Sequence, residues 1–278
     1  MISHNPKSIR HVLPLMCLGL MTVFSITCVT LVPRPTQTPV PVTETSTARP
    51  SPTLTATPPP AWVSDFAEPI LETIANRPPT YQDDFSDPAS AWDTGTSHDP
   101  LDPKIAGGRR YEQGEYWIIA DGTTSAVPVT CSTSGVPNLD GHADFVAEFD
   151  VRFVSGGEGD WQIAFHQKGS ELHSLGLRRN GQLLFSKCGP NPDGCSELVS
   201  TEGSPINPGE QWNHIQLIVR GPRMAAYVNG TPVLYGEDEN DTPVYKKGVG
   251  FVGVCNLGPG PLETGWDNFK LWDLSDLP

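Results

Sequence analysis

Apolar and polar residues alternate with a period of two along most of the chain beyond residue 80. The run from Asp144 to Val154 is the clearest example, because its odd-numbered positions are apolar and its even-numbered positions are mostly charged. This alternation is typical of a β-strand with one buried face and one face in water. Shorter runs of the same kind occur at Tyr116–Ala120, Trp161–His166, Leu172–Arg178, Gln182–Ser186, Trp212–Arg220, Met224–Val228, Gly248–Val254 and Trp266–Leu271.

Turn-forming residues separate these runs. Gly and Pro lie between most of them, and Asn229-Gly230 is the pair that type I′ hairpins favour. No long helical pattern interrupts residues 79–278. Many short strands at even spacing predict an all-β domain over this range, built as an antiparallel two-sheet sandwich.

Residues 61–78 precede the strands and have helical spacing. Their apolar positions recur at three- and four-residue steps: Val63, Phe66, Ile70 and Ile74. This spacing predicts a short amphipathic helix. Proline is tolerated in a first helical turn, so Pro69 places the start of the helix proper near Glu68, and the prolines at 78 and 79 end it.

The first 32 residues contain an export signal. Val12 to Val32 carries no charge and follows Lys7 and Arg10, which is typical of a segment that keeps its N-terminus inside and sends the rest of the chain across the membrane. Three interpretations remain open. The segment is an uncleaved signal anchor, a lipoprotein signal acylated on Cys28, or a cleaved signal peptide. All three predict an extracytoplasmic domain, and the first two tether it to the membrane.

Residues 33–60 are a low-complexity segment dominated by Pro and Thr. Such a composition cannot bury enough apolar surface to fold, and its prolines favour the extended polyproline II conformation. We therefore predict a disordered linker between the membrane segment and the folded part.

Charge is distributed unevenly. Residues 1–60 carry four basic groups and one acidic group, so the remaining residues hold 14 of the 18 basic and 31 of the 32 acidic groups. An acidic body of this kind is repelled by nucleic acid, which argues against a nucleic-acid partner.

Four of the six cysteines lie in the predicted sandwich, an even number that suggests two disulfides in an exported domain. Cys188 and Cys195 flank the turn-rich Gly-Pro-Asn-Pro-Asp-Gly, which favours their pairing and leaves Cys131 for Cys255. A zinc site is the competing interpretation, although no C-x₂₋₄-C pair is present.

Several segments resemble the concanavalin A-like jelly rolls. The chain from Trp212 to Arg220, followed by Met224-Ala-Ala-Tyr-Val-Asn-Gly230, is similar to a pair of their strands, and Gly265-Trp-Asp-Asn-Phe-Lys-Leu-Trp272 resembles their last strand. Asp83-Asp-Phe-Ser-Asp-Pro88 resembles the first strand of bacterial laminin-G-like and 3-keto-disaccharide-hydrolase-like domains. The resemblance implies a jelly-roll sandwich. It implies no single activity, because this superfamily contains lectins, glycosidases and adhesion modules.

The resemblance also gives a test for catalysis. Laminarinase-like glycosidases of this fold carry E-x-D-x-x-E on one strand, and the nearest match here is Glu158-Gly-Asp160-Trp-Gln-Ile163, in which Ile163 replaces the third carboxylate. A retaining mechanism needs two carboxyl groups about 5–5.5 Å apart, so this stretch supplies no complete pair and the catalytic residues stay unassigned. We therefore expect a surface-anchored, non-catalytic module that binds carbohydrate, either a polysaccharide or a cell-wall glycan. A hydrolase of the 3-keto-disaccharide type and a structural or protein-adhesion domain are the alternatives.

Six side chains are candidates for glycan contact, because sugars are recognised by an aromatic ring under the C–H face and by planar polar groups on the hydroxyls. They are Glu158, Asp160, Trp161, His166, Arg178 and Gln182. Trp161 is equally compatible with a place in the core, and a histidine on a sheet is often an ordinary polar residue.

By the same resemblance, Asp84 and Asp267 are candidate ligands of a structural Ca²⁺ near the first and last strands. Calcium takes six to eight oxygen ligands, so two carboxylates do not complete a site. The alternative is that both accept hydrogen bonds from backbone N–H groups. The sequence calls for no other cofactor.

Overall fold

The computed structural model describes residues 58–99, 103–137, 141–189, 194–239 and 248–277. These residues form fifteen strands in two antiparallel sheets, preceded by one helical segment. The nine-stranded sheet contains β1 (Tyr81–Asp83), β2 (Gly95–His98), β3 (Ala106–Glu112), β4 (Glu115–Ala120), β6 (Phe145–Ser155), β11 (Asn213–Arg220), β12 (Arg223–Val228), β13 (Thr231–Glu237) and β15 (Leu262–Asp273). The six-stranded sheet contains β5 (Thr130–Gly135), β7 (Gly159–Lys168), β8 (Glu171–Arg178), β9 (Leu183–Cys188), β10 (Cys195–Thr201) and β14 (Val249–Asn256).

The strand order is that of a jelly roll. The nine-stranded sheet runs β13-β12-β11-β6-β15-β4-β3-β2, with β1 paired to β15, and the six-stranded sheet runs β10-β9-β8-β7-β14-β5. Strands that are distant in sequence, such as β4 and β15, are therefore neighbours, and the chain crosses repeatedly between the sheets. The predicted all-β, antiparallel two-sheet sandwich is confirmed.

Aromatic side chains fill the space between the sheets. The Phe149 ring from the nine-stranded sheet stacks on Trp266 at 5.2 Å, and Trp161 from the six-stranded sheet meets Phe149 edge-on at 5.5 Å. All three are fully buried. The alternation of each strand places these rings inward, where aromatic side chains bury large apolar areas.

The helical segment packs on the outer face of the nine-stranded sheet. A π-helical turn at Val63–Ala67 leads into α1 (Glu68–Ile74), so the helix proper starts where Pro69 requires it. Its apolar face is buried against residues of β6, β11, β12 and β15 and of the chain after β15: Val146, Ile218, Ala225, Tyr227, Trp272 and Leu274. The helix thus covers apolar positions that would otherwise face water.

Both predicted disulfides are present. Cys131 pairs with Cys255 between directly opposite positions of β5 and β14, and Cys188 pairs with Cys195 between β9 and β10. The zinc alternative is wrong, because a disulfide leaves no thiolate to bind the metal.

The predicted membrane segment, Cys28 and most of the Pro/Thr-rich linker lie outside the described residues. Within the described ranges, no helix combines the length and the apolar character needed to cross a bilayer.

Candidate functional site

A row of side chains crosses the outer face of the six-stranded sheet near the start of β7. The register places Asp160 between Arg178 of β8 and Cys255 of β14, and Cys255 opposite Cys131 of β5. Directly opposite residues on antiparallel strands have Cβ atoms about 4.5–5.5 Å apart. Asp160 therefore lies between a guanidinium group and the Cys131–Cys255 disulfide.

Gly159 lets β7 approach β14 closely at this point. Its φ is +147°, and a Cβ built there would lie 2.4 Å from the carbonyl oxygen of Cys255 and 2.4 Å from Cδ2 of Leu262. No side chain fits in that space, so glycine is required where the backbone delivers Asp160 to the outer face.

Asp160 is a buried carboxyl group. It is 8% exposed, and its Oδ1 accepts a hydrogen bond from Nε2 of Gln162 at 3.0 Å. Burial raises the pKa of Asp160 to about 6, although the Gln162 hydrogen bond and the charge of Arg178 partly oppose the rise. The group therefore changes its charge close to neutral pH.

Arg178 is held by Gln182. Its Nη1 donates to Oε1 of Gln182 at 2.5 Å, and the two residues also share a backbone hydrogen bond of 2.9 Å from Arg178 N to Gln182 O. The turn between β8 and β9 thus fixes both side chains. Three of the predicted residues, Asp160, Arg178 and Gln182, lie together in this row with Gln162, and a fourth, Glu158, lies at the adjacent cleft with Arg178.

A cleft of about 460 Å³ opens beside this row, and we call it the rim cleft. Leu257 is 42% exposed, which makes it the most exposed large hydrophobic side chain of the described residues. Its backbone N–H donates to the carbonyl of Glu158 at 3.1 Å, which ties the two loops around the cleft together. The cleft is lined by Gly157, Glu158, Gly159, Arg178, Arg179, Asn180 and Leu257.

The loop that carries Leu257 is organised by the buried side chain of Asn256. Its Nδ2 donates to the carbonyls of Asp121 at 2.8 Å and Gly260 at 2.6 Å, while its Oδ1 accepts from the backbone N–H of Gly258 at 2.8 Å. A fully bonded amide of this kind fixes the loop, so the exposed position of Leu257 is set by the fold.

Two predicted contact residues lie elsewhere. Trp161 is 1% exposed and packs in the core, because its position in β7 points inward; its role as a surface platform is therefore wrong. His166 lies six residues from Asp160 along β7, roughly 20 Å at 3.3 Å per residue. It is 3% exposed, occupies a bulge with φ of 52°, and contacts the carbonyl of Ala143 through Nε2 at 2.8 Å. His166 is therefore not part of the rim cleft, and burial lowers its pKa to about 4.

Asp84 directly follows β1 and Asp267 belongs to β15, and their charges are close enough to interact. Oδ1 of Asp84 accepts hydrogen bonds from the backbone N–H and the hydroxyl of Ser86, and Oδ1 of Asp267 accepts one from the backbone N–H of Asn268. Burial raises the pKa of Asp267, and the charges of Asp150, Glu115 and Asp84 contribute to the rise. Across the described ranges, no group of three or more His, Cys, Asp or Glu side chains is arranged to hold a metal ion. The Ca²⁺ site stays a prediction.

Besides Gly157 and Gly159, sequence reasoning missed three residues of the cleft: Arg179, Asn180 and Leu257. Arg179 and Asn180 belong to the turn between two predicted strands, and an Arg-Arg pair at a turn is a usable signal for a polar site. Leu257 follows Asn256 and precedes Gly258-Pro259-Gly260, so its signal was a large apolar residue inside a turn-forming segment.

Known structures share this architecture. The catalytic domain of an endo-1,3-beta-glucanase (laminarinase) from Thermotoga petrophila RKU-1 matches with a TM-score of 0.50 at 10% identity, over 69% of this chain and 96% of that chain. The chain has the same jelly-roll sandwich. A laminarinase from Flavobacterium sp. UMI-01 matches this jelly-roll sandwich with a TM-score of 0.49 at 11% identity, over 70% of this chain and 99% of that one. The carbohydrate-binding module CBM66 from Bacillus subtilis matches with a TM-score of 0.38 at 18% identity, over 65% and 94%.

No protein-family model matches the sequence of this jelly-roll sandwich, and no curated protein matches it. At the identities of the solved structures, the likeness concerns the fold alone. The chemistry of the rim cleft is therefore argued from its own residues.

Proposed function

We propose that the sandwich binds a glycan in the rim cleft. The observation that carries this proposal is the exposed apolar side chain of Leu257 beside the planar polar groups of Arg178, Arg179 and Asn180. A sugar ring has an apolar C–H face and a hydroxyl-bearing edge. In the cleft, Leu257 suits the apolar face and the polar side chains suit the hydroxyl groups. Leu257 contacts the apolar face of the sugar, where the sequence analysis expected an aromatic ring. The volume of the rim cleft, about 460 Å³, is within the range typical of small-molecule sites.

The carbohydrate class is also supported by the shared fold. The laminarinase with the same sandwich is an endo-1,3-beta-glucanase. A polysaccharide is accordingly the first class of ligand to test.

Glycan-array binding of the full chain, followed by calorimetry on the best ligand, tests the proposal. We expect Arg178→Ala and Leu257→Ala each to weaken binding by about tenfold or more, which corresponds to the loss of one charged hydrogen bond or one apolar contact. Arg77→Ala is the matched control, because Arg77 pairs with Asp276 on the surface and does not line the cleft. Equal loss in the control, or no loss in both cleft variants, would remove the rim cleft as the binding site.

Glycoside hydrolysis is a second candidate, and one observation favours it. Asp160, with a pKa of about 6, is only two residues from Glu158 at the cleft. A carboxyl group with a pKa of about 6 keeps a fraction of its protons close to neutral pH, which is the property that a general acid needs. Release of reducing ends from a polysaccharide panel, abolished by Asp160→Ala, would establish the activity. If no polysaccharide of the panel is hydrolysed, the hydrolase proposal is refuted and the non-catalytic module remains.

We propose in addition that the domain is extracytoplasmic and tethered. The two disulfides support an oxidising location, and the uncharged run from Val12 to Val32 supports an anchor. Membrane fractionation separates a tethered protein from a secreted one. Loss of fatty-acid labelling in Cys28→Ser would identify the lipoprotein form, and membrane retention without labelling would identify the signal anchor.

A further inference from the structure

Arg178 and Arg179 differ in their ion pairing from four of the other arginines that the structure describes. In the described part of the chain, neither has a carboxylate oxygen within 4.0 Å, and four other arginines do. Those four pairs are Arg77 with Asp276, Arg109 with Asp93, Arg110 with Glu112 and Arg152 with Glu115. The chain carries a net charge of −14, so carboxylates are abundant. Two adjacent guanidinium groups without such partners, on one cleft, indicate a site built for an anion.

Neutral acceptors hold both guanidinium groups in place. Nη1 of Arg178 donates to Oε1 of Gln182, and Nη1 of Arg179 donates to the carbonyl of Gly156. The Arg179 guanidinium also lies 5.7 Å from the centre of the Phe153 ring. These contacts orient the side chains without an ion pair, and the charge of Asp160, directly opposite Arg178, offsets only part of the positive charge. A planar guanidinium fixed in this way is ready for a bidentate contact with a carboxylate.

Glu158 limits where an anion can bind. Its side chain is exposed at the same cleft and repels a negative group placed next to it. Two arginines and one glutamate still leave the lining positive, and a sugar also offers hydroxyl donors that suit Glu158. A ligand with a carboxylate at one position and hydroxyl groups at the others matches this distribution of charge.

We infer that the rim cleft selects an acidic sugar, whose anionic group is held by Arg178 and Arg179 while its hydroxyl groups reach Glu158 and Asn180. This inference rests on the proposed glycan binding and names the class of ligand. Carboxylates of uronic acids and sulfate esters share the chemistry that the guanidinium groups recognise. Leu257 contacts the apolar face of the ring in either case.

Calorimetry on the full chain with three probes of equal length tests the inference: oligogalacturonates, sulfated galacto-oligosaccharides and neutral cello-oligosaccharides. We expect an acidic probe to bind about tenfold tighter than the neutral one, and its affinity to fall as salt screens the charges. The acidic probe that binds tighter identifies the anionic group. We expect Arg179→Gln to remove the preference for acidic probes, with Arg110→Gln as the control because Arg110 lies on the other sheet beside Glu112.

The failures of the two proposals are distinguishable. Equal or tighter binding of the neutral probe, abolished by Leu257→Ala, overturns the acidic preference and keeps the glycan site. An acidic preference that persists in both Arg178→Lys and Arg179→Gln, with unchanged melting temperatures, overturns the role of the arginines. Absence of binding to every glycan on an array overturns both proposals. Arg179→Gln also serves where an Arg178 variant fails to fold, because among the described residues Arg179 is anchored by a backbone carbonyl and the Phe153 ring alone.

Discussion

Gln162 donates a hydrogen bond from Nε2 to Oδ1 of Asp160 at 3.0 Å, and the two side chains share the outer face of the six-stranded sheet. They are two residues apart on β7, so the period of the strand alone places them together. This single neutral donor compensates only part of the burial of the carboxylate, and the pKa of Asp160 rises to about 6 as a result. The charged form of Asp160 therefore lowers the free energy of unfolding, which is common for residues that act in binding or catalysis.

The first prediction concerns stability against pH. The pKa of Asp160 is higher in the folded state than its ordinary value of 3.8, so folding favours the protonated form. The contribution of this group to stability is full below about pH 4 and is lost as the pH rises through about 6, by an amount on the order of 3 kcal/mol. We expect Asp160→Asn to raise the free energy of unfolding by roughly 1–3 kcal/mol at about pH 7.5 and to change it little at about pH 4. Urea unfolding at both pH values measures this, and a variant less stable than the parent at the higher pH would contradict it.

The second prediction concerns the glycine beside Asp160. Gly159→Ala places a Cβ 2.4 Å from the Cys255 carbonyl oxygen, at a φ of +147°. We expect a loss of stability of at least about 2 kcal/mol, because the backbone must shift and the conformation is strained for alanine. Gly157→Ala is the matched control, since no atom lies within 4 Å of its added Cβ. Thermal unfolding of both variants decides the matter, and equal melting temperatures would refute the packing argument.

The third prediction ranks the two disulfides. The Cys131–Cys255 bond spans a sequence separation of 124 residues and the Cys188–Cys195 bond one of 7. Loop-closure entropy then gives about 5 kcal/mol for the long loop and about 2.5 kcal/mol for the short one. We expect the paired serine variant of the long loop to lose more stability by guanidinium unfolding. The reverse order would show that unfolded-chain entropy is not the main source of the stabilisation.

The fourth prediction concerns the outer face of the nine-stranded sheet. Arg152 binds Glu115 through Nη2 at 2.9 and 2.8 Å, and its guanidinium lies 4.9 Å from the Trp212 ring centre and 5.9 Å from that of Trp117. Gly265 makes room for this pair between the two strands, because a Cβ there would come within 2.8 Å of Oε2 of Glu115.

We expect Arg152→Ala to cost about 1–2 kcal/mol, because its half-buried charge pair and two ring contacts are lost together. Arg77→Ala should cost under about 0.5 kcal/mol, because its pair with Asp276 is more exposed. Chemical unfolding of the two variants compares them directly. A similar cost for both would mean that the ring contacts contribute nothing measurable.

The strands that the sequence predicted are those that bury a series of apolar side chains; in β5, which was not predicted, the buried positions are Thr130, Ser132 and Ser134. Five strands, β1, β2, β5, β10 and β13, have a single paired neighbour; none of them was among the predicted runs, and neither was β3. An edge strand has only one paired neighbour, so both of its faces tolerate polar side chains and the alternation fades. In β10, for example, all seven residues are exposed or only partly buried.

The candidate site likewise contains residues that the sequence predicted, whereas another predicted residue lies elsewhere. Arg178 and Gln182 were candidates from sequence because they belong to predicted strands, where the period of two fixes the face. Glu158 and Asp160 were candidates as neighbours of Trp161, because the glycines before them indicated a turn. Trp161 was assigned to the wrong side, because an aromatic residue fits a core and a sugar platform equally well and composition does not decide between them.

The sequence by itself determined the class of the domain, the start of the helix and the pairing of the cysteines, since local spacing and turn chemistry act over a few residues. The tertiary structure alone decided that Leu257 meets Arg178 and Asn180 at one cleft, because those residues are separated by most of the second half of the chain. Only the register of β7 against its two neighbours brings their loops to the same end of the sheet.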